Sequence, residues 1–105
     1  HGRGKIYHES GALMREIPYV NGEKHGLVKG YYESGALMCE IPCVNGDIHG
    51  IEKMYYKSGA LQWEIPFVNG EKHGIEKNYN SDNINIDRLT LYNNDREVLT
   101  LRRES

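Results

Sequence analysis

Five sets of residues have types and spacings that suggest chemistry. A histidine precedes a glycine at His1, His25, His49 and His73, every 24 residues. Metal binding is the first chemistry to test. Residues two strands apart in a sheet recur at about 9–10 Å, whereas two imidazoles on one zinc each sit about 2 Å from it. The column therefore reads as loop structure, each His bonding a turn. Cys39 and Cys43 lie four residues apart in an expected strand, about 13 Å along it. A disulfide needs Cα atoms within about 7 Å, and no second Cys or His pair stands at ligand spacing. Both read as free thiols, which points mildly to a reducing compartment. Cys43 fills the slot that Tyr19 and Phe67 hold in the other copies, so it reads as a small apolar filler. Glu16, Glu40 and Glu64 form a carboxylate column, but each has a lysine expected opposite. Glu23, Asp47 and Glu71 follow Asn-Gly without EF-hand spacing and read as solvated turn residues. The fifth set is aromatic: Tyr19, Tyr32, Tyr56, Phe67 and Trp63, the chain's single tryptophan. An exposed band of this kind marks a binding surface. With no nucleophile–base pair and no metal cluster, the expectation is a protein without catalytic activity, cofactor or metal.

The elements that must position these residues come in copies. Tyr31 to Gly46 repeats Tyr7 to Gly22 and is repeated by Tyr55 to Gly70, 24 residues apart each time. A fixed period of this length is the mark of a repeat array. Within a unit, Ser-Gly (Ser34-Gly35) makes one turn. Asn-Gly followed by His-Gly (Asn45-Gly46, His49-Gly50) makes the other, because Asn and Gly tolerate positive φ. Between turns lie segments such as Leu27–Glu33 and Ala36–Val44, of strand length and too short for a stable helix. Pro42 would break a helix and sits in a strand only near an end or on an unpaired side. Each unit is thus two strands, and the array an antiparallel meander.

Charge fixes the register. With Ser34-Gly35 as turn centre, Tyr32 faces Leu37, Tyr31 faces Met38 and Lys29 faces Glu40. The same count sets Lys5 against Glu16 and Lys53 against Glu64. Each opposite-charge pair contributes about 0.2–1 kcal/mol, and a one-residue slip would destroy all three. In the fourth unit the count sets Lys77 against Arg88, so the regular pattern is expected to stop there. Alternation then sorts two faces. One carries Leu13, Leu37 and Leu61, Ile17, Ile41 and Ile65, and His8, Tyr32 and Tyr56. It also carries two changing columns, Arg15–Cys39–Trp63 and Tyr19–Cys43–Phe67. The other face is nearly invariant: Tyr7, Tyr31, Tyr55 and Tyr79, the Lys–Glu pairs, the prolines and valines, with Met14, Met38 and Gln62 its only variation.

Residues 80–105 change character. Asn80-Ser81-Asp82-Asn83 is a turn cluster, and Ile84–Tyr92 and Glu97–Arg103 read as two strands around Asn93-Asn94-Asp95. This hairpin reads as a degenerate repeat and polar cap; a short helix is the competing reading. The sequence begins mid-pattern at His1, as a fragment or trimmed chain would.

Composition narrows the function classes. The 105 residues amount to one domain. A hydrophobic fraction of 38% with 12 glycines and 8 tyrosines suits short strands and a thin core. Net charge is −2 and the pI about 6.2, so no basic field invites nucleic acid or an acidic membrane. No apolar run reaches the roughly 20 residues of a helical span.

Tyr-Tyr-Glu-Ser-Gly-Ala-Leu (31–37), Glu-Ile-Pro-x-Val-Asn-Gly (40–46) and His-Gly-(Leu/Ile)-x-Lys resemble the MORN-repeat variant family, widespread in bacterial proteins. The resemblance covers residues 1–79. It implies an all-β, open, single-layer, twisted antiparallel sheet of stacked β-hairpins, non-catalytic and engaged in protein or lipid head-group contact. Some bacterial members are antitoxin-like components of toxin–antitoxin pairs. The resulting expectation is a meander of eight to nine strands that meets another protein through Trp63, Phe67, Tyr32, Tyr56, Tyr19, Cys39 and Cys43. The alternatives are a scaffold that homo-oligomerises through an open sheet edge or stacked faces, and a head-group binder. Neither nucleic acid nor membrane contact is expected, and the location is expected to be cytoplasmic, with export as the alternative.

Overall fold

The computed structural model describes residues 2–81 and 85–103. His1, Asp82 and Asn83 of the expected turn cluster, Ile84 at the start of the expected strand, and residues 104–105 lie outside them. The described residues form twelve antiparallel strands in a single sheet. Nine follow one another across it: β1 (Gly2–Tyr7), β2 (Leu13–Val20), β4 (Gly26–Tyr31), β5 (Leu37–Val44), β7 (Gly50–Tyr55), β8 (Leu61–Val68), β10 (Gly74–Tyr79), β11 (Ile86–Asn93) and β12 (Arg96–Arg102). Three two-residue strands, β3 (Glu23–Lys24), β6 (Asp47–Ile48) and β9 (Glu71–Lys72), pair only with the strand before them. The molecule measures 44 × 31 × 17 Å with a radius of gyration of 15.3 Å, against about 13 Å for a compact chain of this size.

The turn residues produce this path. Asn21 and Gly22 have φ of 52° and 79°, as do their copies in kind. Two left-handed residues make the tight hairpin whose twist suits the strands, so β2 turns straight into β3. His25-Gly26 is then a break within a strand, and here the structure departs from the expected second turn. β3 and β4 both pair with β2 but in registers two residues apart, and His25 N–H donates to the Pro18 carbonyl at 3.0 Å. Gly26, Gly50 and Gly74 have φ of 117°, 122° and 119°. A β-carbon at Gly50 would stand 3.0 Å from the Pro42 ring. Glycine is required there twice over, by dihedral and by space.

The charge-based register is the observed one. Lys5, Lys29 and Lys53 face Glu16, Glu40 and Glu64 within hairpins. Between hairpins Glu16, Glu40 and Glu64 face Lys29, Lys53 and Lys77. One row of alternating charge therefore crosses seven strands. Toward the Ser-Gly turn the expected pairing is corrected. Tyr31 pairs with Leu37, not Met38, because a β-bulge falls between Gly30 and Tyr31, with copies between Ile6 and Tyr7 and between Met54 and Tyr55. A bulge sets two residues against one and breaks alternation. Leu13, Leu37 and Leu61 thereby move to the invariant face, opposite Tyr7, Tyr31 and Tyr55. Met38 moves to the variable face, where its Cε lies 3.2 Å from the β-carbon position of Gly30.

The fourth unit also departs from expectation. Six residues, 80–85, separate Tyr79 from Ile86, where five separate Tyr55 from Leu61. The extra residue shifts the register, so Lys77 faces Leu89 and Arg88 faces Asn78. The like-charge clash is avoided and the meander continues. Its tight turn moves to Asn94 and Asp95, with φ of 50° and 68°. Both C-terminal segments are strands, and β12 closes the order.

Candidate functional site

The two faces differ in accessibility, in the opposite sense to their variability. The variable face holds the core: Ile17, Val28, Cys39, Cys43 and Ile65 are buried, with Glu76 and Thr90. Among the described residues no large side chain is fully buried. The most covered residues are small ones, over which longer neighbours on the same face close. Tyr19, Ile41 and Ile48 do this around Ile17, Val28 and Cys43. Cys39 and Cys43 are 2% and 4% exposed, so neither presents a surface to a partner. This corrects the expected contact role of both, and burial pushes both thiols up from their ordinary pKa.

The aromatic residues expected to meet a partner lie half-buried on this face. Tyr32 hydroxyl donates to the Tyr55 carbonyl at 2.6 Å, and Tyr56 hydroxyl to the Tyr79 carbonyl at 2.9 Å. His8 bonds the Tyr31 carbonyl at 3.0 Å from the same column. These side chains join each repeat to the next. The Tyr19 ring fills the space that a side chain at Gly4 would occupy. Trp63 faces Met54 and Asn78 across the strands, and Phe67 faces Gly50. The indole N–H of Trp63 has no acceptor within hydrogen-bond distance among the described residues. It still offsets part of the burial that pushes the Glu52 carboxyl above its usual range, as does Lys72; Glu76 adds to the rise.

Sequence reasoning missed one column of this face: Gly4, Val28 and Glu52, opposite Ile17, Ile41 and Ile65, and Glu76, opposite Thr90. Its last members place carboxylates in the core layer. Glu76 lies 3.6 Å from both Lys72 and Arg88 and accepts from Asn78 at 2.9 Å. The signal was present, since the column changes from unit to unit more sharply than its neighbours.

The histidine column lies at the loop end. Asn45 N–H donates to His25 Nδ1 at 3.3 Å, and Asn69 N–H to His49 Nδ1 at 3.1 Å. Gly46 and Gly70 N–H donate to the Lys24 and Ile48 carbonyls at 2.8 Å. Each Asn-Gly turn therefore rests on the loop of the preceding unit. Among the described residues no three of His, Cys, Asp and Glu form a group that could hold a metal ion.

The invariant face is the open one. Leu27, Ile51, Ile75, Leu91 and Leu99 are exposed, Ile51 by 50%. Register sets Leu27 beside Pro42, Ile51 beside Pro66, and Ile75 beside Leu91 and then Leu99. An apolar row thus runs across the sheet next to the row of alternating charge. Shallow grooves recur between units along it, one walled by Leu27, Pro42 and Ile51, the next by Ile51, Pro66 and Ile75. At the C-terminal end the charged row ends in Leu89 and Leu101, and the third groove is walled by aliphatic side chains alone. The carboxylates of the row take tyrosine hydroxyls: Tyr55 donates to Glu40 at 2.8 Å and Tyr79 to Glu64 at 2.6 Å. Both tyrosines are pushed up to about 12, Tyr55 chiefly by burial and Tyr79 chiefly by its bond to Glu64. The expected lysine partners make no ion pair within 4.0 Å with these carboxylates among the described residues.

An open sheet of 24-residue hairpins, each bonded to the next, defines a repeat module. The profile of the MORN repeat variant matches residues 1–21, 24–45 and 48–69, and the chain belongs to that family. Repeat modules of this family typically meet proteins or membrane lipids. No curated protein and no solved structure matches the chain.

Proposed function

We propose that this chain is a non-catalytic module that docks a protein partner on its invariant face. The observation that supports this is the row Leu27–Pro42–Ile51–Pro66–Ile75–Leu91–Leu99, whose leucines and isoleucines are exposed and whose prolines are half-buried, lying along a row of alternating lysine and glutamate. An apolar band rimmed by charge has the anatomy of a protein interface. The alternation fits a protein surface of mixed charge better than a lipid head-group layer, which calls for clustered cations. The half-buried aromatics of the opposite face act as scaffold in this reading.

The test is affinity capture, with Ile51→Lys/Ile75→Lys compared against Trp63→Phe. The reading expects the outer pair to abolish capture of specific proteins while the β-sheet CD spectrum persists. It expects Trp63→Phe to capture the same set. Loss of capture with Trp63→Phe alone returns the site to the variable face. Unchanged capture by the outer pair sinks the proposal.

A further inference from the structure

The open face carries its own complement. Along its charged row, successive strands present Lys5, Glu16, Lys29, Glu40, Lys53, Glu64 and Lys77. A second copy makes the matching row when it is turned over by a two-fold axis that runs along the strands, between the two faces. That operation lays charged row on charged row and apolar row on apolar row, each reversed end for end. An axis lying on a strand would set like charges together, Lys53 against Lys53. An axis lying between two strands sets lysine against glutamate throughout.

The interval between β5 and β7 gives the best match. It sets Glu40 against Lys53 of the second copy and Lys29 against Glu64, with Glu16 against Lys77 further out. Each pair occurs twice, because a two-fold interface is isologous. Eight of the nine successive strands then overlap. One interval nearer the C-terminus keeps that overlap but sets Lys29 against Leu89 and Glu16 against Leu101. One interval nearer the N-terminus shortens the overlap to six strands. In the apolar row the chosen axis places Pro42 on Ile51 and Leu27 on Pro66.

The lysines of the row are available for these contacts. Among the described residues Lys29, Lys53 and Lys77 make no ion pair within 4.0 Å. Glu40 and Glu64 are held in place by the Tyr55 and Tyr79 hydroxyls. Stacked sheets lie about 10 Å apart with strands within about 30° of each other, so the pairs beside the axis, Glu40 with Lys53, stay the closest. The molecule spans 44 × 31 Å across its two longer axes. A copy covering about two-thirds of that area exceeds the roughly 800 Å² per partner of a stable interface.

We propose that the partner of the open face is a second copy of this chain, stacked face to face by this two-fold. The inference rests on the open face being the docking surface and names its occupant.

Sedimentation of the full chain over a wide concentration range should show a monomer–dimer equilibrium. Lys29→Glu/Lys53→Glu makes the row acidic, and Glu40→Lys/Glu64→Lys makes it basic. Each variant alone should raise the dimer dissociation constant on the order of 100-fold, because like charges then oppose one another. Mixing the two variants should restore the dimer. NMR dilution of the parent chain should move the methyl signals of Leu27 and Ile51 and leave that of Ile65, on the covered face, unchanged; this reading decides if a variant does not fold. A chain that stays monomeric overturns the second copy, and the docking face is then judged separately by whether Ile51→Lys/Ile75→Lys abolishes capture of other proteins. A dimer that ignores the charge reversals, or whose shifts on dilution fall on β1 or β12, belongs to the sheet edges and overturns the stacking.

Discussion

At the scale of single residues, a few positions are fixed by geometry and the rest are free to drift. Gly50 is one of the fixed ones. Its φ of 122° is strained for any L side chain, and a β-carbon there meets the Pro42 ring at 3.0 Å. Gly50→Ala should therefore cost about 1–3 kcal/mol, read as a lower urea midpoint. Gly2→Ala has no left-handed φ to lose and nothing within 4 Å, so its midpoint should stay unchanged. The His-Gly dipeptide was legible in the sequence as punctuation. What it punctuates was not, because both a turn and a strand break call for positive φ. The proline eight residues before each glycine (Pro18, Pro42, Pro66) closes over it, and its ring is what separates the two readings.

At the scale of the strands, the lysine–glutamate register was legible because charges of opposite sign leave a readable trace on facing positions. The bulge was not legible. It moves one residue locally and leaves the charged pairs beyond it untouched, so alternation carried Leu37 and Met38 to the wrong faces. Nor could alternation say which face is covered. Variability suggested that the changing columns were outward, whereas in a single layer the covered face must also trade volume between neighbours. Gly30 beside Cys39 and Met54 beside Trp63 show that trade. Glu52 marks its cost. The carboxyl is pushed above its usual range by burial, so the folded state binds its proton more tightly than the unfolded state. The associated stability is present at acid pH and lost as pH rises through the folded-state value. Glu52→Gln should be more stable than the parent at neutral pH by about 1 kcal/mol, the usual order for relieving one imperfectly paired buried group. That advantage should narrow as pH falls toward 4. Thermal melts of both proteins from pH 4 to 8 check this, and a constant difference across the range would contradict it.

At the scale of the whole molecule, the array is close to one-dimensional. Each hairpin pairs only with its immediate neighbours, so stability is a sum of units and interfaces. Native-state hydrogen exchange should show greatest protection in β4, β5 and β7, with openings that grow toward β1 and β12. Equal protection across all strands would mean a single cooperative block instead. The fourth unit adds a second inhomogeneity, because its layer is held by Glu76, Lys72 and Arg88 in place of aliphatic packing. That network should respond to ionic strength more than the units before it.

The hydrogen bonds between successive loops have one more consequence. Every unit offers the next the same carbonyl, Lys24 or Ile48, and every unit supplies the preceding one with the same N–H, Gly46 or Gly70. In the last unit Asp95 makes that bond to Lys72, although a non-glycine residue stands there. At this loop the joint is made by main-chain atoms at fixed spacing, and the His25 and His49 rings and the Tyr32 and Tyr56 hydroxyls add bonds that recur with the same period. A segment such as 25–48 is therefore an interchangeable cassette. Copies can be duplicated or excised in frame while the main-chain joint is kept, and the length of the open apolar row becomes a quantity that evolution sets by counting.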